Sequence, residues 1–229
     1  RVISHINHKR LMSQATKYLR MSTMRFVTAA VLGLGLMTAP LAATAQQLSL
    51  GKISSYLNKL QTAKGAFTQI NDDGSISTGT IYIKRPGKIR FEYNPPEETL
   101  VLASANTVAI FDPKTNQGPE SYPLAKTPLS IILARTVDLA SANMVTGHSF
   151  DGTATVITAQ DPAHPEYGNI QLKFTGSPVE LRQWVINDDS GSSTTVVLGE
   201  LAKGGSLPNA LFDIDANTKT RGGRWLPRQ

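Results

Sequence analysis

The stretch Gly79-Thr80-Ile81-Tyr82-Ile83-Lys84-Arg85-Pro86-Gly87-Lys88-Ile89-Arg90-Phe91-Glu92-Tyr93 reads as two strands joined by a tight turn. β-Branched and aromatic residues recur at every second position on both sides of Arg85-Pro86-Gly87, and Pro and Gly supply the backbone angles that a turn needs. The same period of two extends outward, to Phe67–Ile70 before it and to Glu98–Ala103 and Thr107–Phe111 after it. Asn71-Asp72-Asp73-Gly74, Asn94-Pro95-Pro96, Ser104-Ala105-Asn106 and Asp112-Pro113 punctuate these runs as turns. Strand patterning resumes at Ser149-Phe150 and Thr153–Thr158, then continues through Asn169–Phe174, Val179–Asn187 and Thr194–Leu201, with a last short element over Leu207–Asp215.

Two segments carry the helical period instead. Leu50, Ile53, Leu57 and Leu60 recur at spacings of three and four, with Ser49 as N-cap, which predicts an amphipathic helix within Leu48–Leu60 that Gly65 breaks. Thr127-Pro128 opens the second, Leu129 to Arg135, with Thr127 as N-cap and Pro128 in the first helical position. Six of the eight residues from Pro128 to Arg135 are apolar, so this helix is covered on both sides or itself covers something apolar. Ten or eleven strands with two helices make a mainly β (α+β) plan, one antiparallel sheet curled toward a barrel. Several strands are apolar on both faces, Ile81 and Ile83 opposing Tyr82 and Val101 opposing Leu100 and Leu102. One wall can pack against helices, and the other then faces an interior filled by side chains or kept for a ligand.

The chain has 23 Lys+Arg against 17 Asp+Glu, but residues 1–45 hold six of the basic residues and no acid. The rest is neutral, which gives no electrostatic reason to bind a polyanion, and nucleic acid is excluded as a partner. From Met21 or Met24 the sequence runs through Arg25, an apolar stretch from Phe26 to Met37, and Ala43-Thr44-Ala45, the order of a secretory signal peptide with cleavage after Ala45. The apolar run is well short of the ~20 residues a spanning helix requires. We therefore expect an upstream extension over 1–20, a signal peptide over 21–45 and a single domain over 46–229, free in a bacterial periplasm. The chain has no cysteine, so neither disulfides nor zinc thiolates are expected, and no lipidation cysteine follows the signal.

No residues point to catalysis. His148 and His164 lie among turn residues without metal spacing, and no nucleophile motif accompanies them. Asp72-Asp73 and Asp188-Asp189 sit in Asn-Asp-Asp turns that turn chemistry explains. No phosphate-binding glycine loop is present. We expect no enzyme, no metal and no cofactor.

The run Ile83 to Tyr93, followed by Pro95, Glu97 and Leu100-Val101-Leu102, resembles the periplasmic outer-membrane lipoprotein carrier (LolA) family. The likeness extends to Gly65-Ala66-Phe67-Thr68-Gln69 and to Thr127 through Arg135, and covers about residues 48 to 215. It implies an incomplete antiparallel barrel, a LolA-like half-barrel, with helices over the mouth and a hydrophobic cavity for the acyl chains of lipoproteins bound for the outer membrane. It implies that Arg85 latches a lid formed by Pro128, Leu129, Ile131, Ile132 and Leu133. On that basis the acyl-chain cavity is expected to be lined by Phe67, Ile81, Ile83, Ile89, Phe91, Leu100, Leu102, Ile110, Leu172 and Phe174. Arg90 stands where the family often has an aromatic residue, and its charge is expected to keep that position off the cavity, with Ile89 and Phe91 lining it or dividing between the two faces.

The resemblance further implies a monomeric shuttle that takes acylated lipoproteins from an inner-membrane lipoprotein-release ABC transporter to an outer-membrane receptor of the LolB type, or directly to the outer membrane. The alternative is a lipid-binding or sensor module on the same half-barrel. A sensor would carry a second domain or an anchor, and none is apparent in the sequence, which favours the shuttle. Three acyl chains of about 14 to 16 CH2 groups, at ~0.8 kcal/mol per CH2, would cost on the order of 30 kcal/mol to expose to water. A carrier needs a large apolar surface that is hidden when no cargo is bound.

Overall fold

The computed structural model describes residues 46–115 and 117–222; the expected signal peptide and upstream extension lie outside the described residues. In chain order the described residues form α1 (Leu50–Lys59), β1 (Thr62–Ile70), β2 (Ile76–Lys84), β3 (Lys88–Tyr93), β4 (Leu100–Ser104), β5 (Thr107–Phe111), β6 (Glu120–Pro123), α2 (Leu129–Leu133), β7 (Val145–Phe150), β8 (Ala154–Gln160), β9 (Asn169–Thr175), β10 (Glu180–Asn187), β11 (Ser193–Leu198), β12 (Ala202–Lys203) and α3 (Ile214–Gly222). The strands make one sheet of twelve in the order β6-β5-β4-β3-β2-β1-β11-β10-β9-β8-β7, with β12 pairing β1. The ladders are antiparallel, and β6 and β7 are the two open edges, so the sheet is an incomplete barrel. The count exceeds the sequence expectation because β6 is four exposed residues and β12 only two, too short to show a period.

Alternation decides which side chains point inward. In β2 and β3 the pairs Ile81↔Phe91 and Ile83↔Ile89 share one face, while Tyr82↔Arg90 share the other. The inner face gathers Phe67, Ile81, Ile83, Ile89, Phe91, Leu172, Phe174, Trp184, Val196 and Leu198 into one core. α1 contributes Ile53 and Leu57 to it, and α2 contributes Leu129, Ile131, Ile132 and Leu133. Both helices therefore cover the concave side of the sheet. A fully buried aliphatic or aromatic side chain of this kind stabilises the fold by about 1.5–3 kcal/mol.

Gly65 does not end α1, which stops at Lys59 with Leu60 as its C-cap. It lies inside β1, where a Cβ would come within 2.7 Å of both the Glu200 carbonyl oxygen and a Leu201 methyl carbon, so the glycine serves a close passage of the chain.

The outer face of β3–β5 is also covered. Leu100 and Leu102 face outward and pack with Ala109, Phe111 and Phe212, a correction to the expectation that they line the interior. The reason is register: Leu102 pairs with Arg90 and Leu100 with Glu92, both on the outward side of β3. The covering segment is a 3-10 turn, Asn209–Phe212, followed by α3. Arg90 Nη1 donates to the Leu211 carbonyl at 2.7 Å and Lys84 Nζ to the Leu207 carbonyl at 2.6 Å, which fastens that segment to the sheet. α3 shows no apolar period, and its start is marked instead by Asp213, whose carboxylate accepts from the Ala216 amide at 2.9 Å.

Candidate functional site

Arg85 sits in the turn between β2 and β3, yet it is only 7% exposed. Its amide donates to the Gln61 carbonyl at 2.7 Å, which holds the turn against the end of α1. Its guanidinium reaches two separate elements: Nη1 donates to the carbonyl of Leu57 in the last turn of α1, and Nη2 donates to the carbonyl of Ala134, just past α2. The Gly87 amide donates to the neighbouring Leu133 carbonyl at 2.9 Å. The last carbonyls of a helix lack partners within the helix, and a cation placed there is favoured by their partial negative charge. One side chain therefore ties both covering helices to one turn. Burial pushes the guanidinium below its ordinary pKa, and no carboxylate forms an ion pair with it among the described residues.

The cover is also tied to itself. Asn58 of α1 donates from Nδ2 to the Val137 carbonyl at 2.9 Å and accepts from the Val137 amide at 2.8 Å. Ser54 Oγ accepts from the Leu139 amide at 3.0 Å and donates to the Leu50 carbonyl within its own helix. α1 is thus hydrogen-bonded to the segment that follows α2, through Leu139. α2 is shorter than the sequence suggests. Pro128, itself buried, occupies the N-cap position and Thr127 does not cap: its hydroxyl donates back to the Leu124 carbonyl at 2.8 Å. The helix is apolar nearly all round, with Leu129, Ile131, Ile132 and Leu133 buried and Ser130 half-buried.

Within the core the aromatic rings interlock. Phe67 meets Phe91 edge to face at 5.3 Å and Tyr93 at 5.0 Å, and Phe91 meets Trp184 at 6.2 Å. Of the residues expected to line the interior, Phe67, Ile81, Ile83, Ile89, Phe91, Leu172 and Phe174 come together in this core, while Leu100 and Leu102 do not. Ile110 is half-buried and pairs with Val101, which packs against the same core. Arg90 faces outward, and Ile89 and Phe91 share the inner face, as its charge suggested. Asn58, Ser54 and Trp184 escaped the sequence reading. Trp184 was hidden because a register shift between Leu181 and Gln183 breaks the alternation that would have placed it inside.

Beside the Arg85 turn a recess of about 390 Å³ is lined by Pro86, Gly87, Lys88, Asn106, Leu133 and Arg135. Neither histidine lies near these groups. His148 belongs to β7 rather than to a turn, its Nε2 lying 2.8 Å from the Leu48 carbonyl oxygen, and His164 stacks on Tyr167 in an exposed turn. No group of three or more His, Cys, Asp or Glu converges among the described residues, nor is any helix there long and apolar enough to cross a membrane.

Comparison with known proteins identifies relatives of this chain. The family model for the outer membrane lipoprotein carrier protein LolA matches residues 58–215. The outer-membrane lipoprotein carrier protein of Azotobacter vinelandii is 25% identical over 180 residues, covering 75% of this chain and 86% of that protein. Its counterpart in Pseudomonas putida is 27% identical over 215 residues, covering 85% of this chain and 95% of that protein. Among solved structures, a LolA superfamily protein from Nitrosomonas europaea is 14% identical with a TM-score of 0.40, covering 73% of this chain and 99% of that one. The match spans the Arg85 turn, the Ala134 anchor of its guanidinium and all twelve strands of the sheet, and the chain belongs to the LolA family of outer membrane lipoprotein carriers.

Proposed function

We propose that this protein is a periplasmic lipoprotein carrier, which shelters the acyl chains of lipoproteins released by an inner-membrane ABC transporter and delivers them to a LolB-type receptor or directly to the outer membrane. The observation that carries the reading is the double hold of Arg85 on Leu57 and Ala134, because it makes the cover over the apolar interior releasable. Hydrogen bonds from a charged donor contribute ~1.5–3 kcal/mol each, and neutral ones such as the Asn58–Val137 pair ~1 kcal/mol each. These sums are small beside the roughly 30 kcal/mol that sheltering three acyl chains recovers, so cargo can shift the lid from closed to open. α2 suits that exchange: four of its five residues are apolar and buried in the core, so it can trade that packing for contact with lipid at little net cost.

Binding of an apolar fluorophore to the purified protein, followed by its displacement with a triacylated peptide, tests the reading. Displacement by the acylated peptide and not by its unacylated form is expected. A folded protein that binds neither the fluorophore nor the acylated peptide overturns it.

A further inference from the structure

Trp184 carries a polar atom that has no partner in the apolar interior. The side chain is fully buried on β10, and its indole Nε1 lies out of contact with solvent without a hydrogen bond. Its cross-strand neighbours are Leu172 and Val196, and its ring contact is Phe91, none of which offers a side-chain acceptor. Buried tryptophans ordinarily find an acceptor, since a donor stripped of water and left unpaired is destabilising. A phenylalanine would fill similar space without that penalty.

The position of the indole indicates what the donor serves. β3 and β10 are four ladders apart in the sheet, ~19 Å at the usual strand spacing. The rings of Phe91 and Trp184 nevertheless meet at 6.2 Å, so they reach toward each other across the concave side. The N–H therefore belongs to the space that acyl chains would take when the lid lifts. An acyl chain begins with a carbonyl, and burying that carbonyl without a donor carries its own desolvation cost.

We propose that the Trp184 indole N–H is held for the carbonyl oxygen of an ester or amide acyl linkage, so that the site selects acylated ligands over plain hydrocarbon chains. The donor and the acceptor, each unpaired when buried alone, satisfy each other. This inference rests on the carrier reading and adds to it the part of the ligand that the interior recognises. Arg85 Nε, the other unpaired buried atom among the described residues, belongs to the latch.

The test uses the full chain carrying Trp225→Phe, which leaves Trp184 as the sole tryptophan, and two glycerol-linked peptides of equal chain length, one diacyl and one dialkyl ether. The diacyl ligand should bind about five- to tenfold more tightly, the worth of one neutral hydrogen bond. The ultraviolet resonance Raman band that reports indole hydrogen bonding should shift to its bonded position with the diacyl ligand alone. Trp184→Phe should bring the two affinities together; should that variant fail to fold, the Raman band decides by itself. Equal affinities in the Trp184 protein, an unmoved band with diacyl ligand bound, or a preference that survives Trp184→Phe each overturn the inference while leaving the carrier reading intact. Binding of neither ligand to folded protein overturns both.

Discussion

The carbonyl of Ala134 accepts a hydrogen bond from the guanidinium of Arg85, 49 residues away in sequence. The chemistry of this pair suits a latch better than an ion pair would. Removing one partner of a buried salt bridge typically costs 3–5 kcal/mol, because an uncompensated charge is left behind. A carbonyl is neutral, and once the lid has lifted, water can take over both of its roles. In the proposed carrier role, Arg85 would be held firmly enough to be buried and loosely enough to be released.

Arg85→Leu should leave the circular-dichroism spectrum folded, lower stability by about 1–3 kcal/mol through loss of the two guanidinium hydrogen bonds, and strengthen apolar-fluorophore binding several-fold. Onward transfer of acylated peptide should fall, since a lid with no latch cannot close behind departing cargo. Arg85→Lys should be intermediate, because one ammonium cannot span both carbonyls as a planar fork does. Unchanged transfer by Arg85→Leu in a two-step assay from donor to acceptor would sink the latch role.

Asn58→Ala should separate the two halves of the lid. It removes both bonds to Val137, for a loss of about 1–3 kcal/mol, and should raise hydrogen exchange at the amides of Val137 and Leu139 before those of β3. If exchange at Val137 is the same in the variant as in the parent, the joint is not what holds the segment.

Period and turn chemistry made the sheet legible in advance: Lys88–Tyr93 and Thr107–Phe111 match their strands at both ends, and Ser49 caps α1 by accepting from the Lys52 amide. Less legible was whatever depends on partners distant in sequence. Leu100 and Leu102 are apolar and alternate like their neighbours, and only the pairing with Arg90 and Glu92 shows that their side faces Phe212. Gly65 looked like a helix stop because the passage of Glu200 and Leu201 beside it has no local signature. Arg85 drew notice through its turn and its family likeness, whereas the neutral side chains of Asn58 and Ser54, which tie α1 to Val137 and Leu139, carry no pattern of their own.

The two faces of the half-barrel can be separated by paired truncations. Leu102→Ala should cost about 2–5 kcal/mol and Phe91→Ala about 3–5 kcal/mol, both from cavities in packed cores. Fluorophore binding should change only in Phe91→Ala, because Leu102 packs under Phe212 on the side away from the lid. A Leu102→Ala protein with altered binding and unaltered stability would reverse the assignment of faces.

Tyr93 sets an alkaline limit to stability. Burial beside Phe67 pushes its phenol up to about 12, and the hydroxyl donates to Gln69 Oε1 at 2.5 Å. An unfolded tyrosine ionises near 10, so the folded state holds this proton more tightly than the unfolded chain does. The contribution is therefore complete below about pH 10 and drains away as pH climbs through 12, where the folded phenol must also ionise. Urea midpoints measured from pH 8 to 12 should fall more steeply above pH 10 for the parent than for Tyr93→Phe. Tyr93→Phe should begin lower at neutral pH, since Gln69 loses its donor, and the gap should narrow as the buffer becomes more alkaline. Parallel curves across that range would mean that the phenol is already in contact with water and that the aromatic layer under the lid is open on that side.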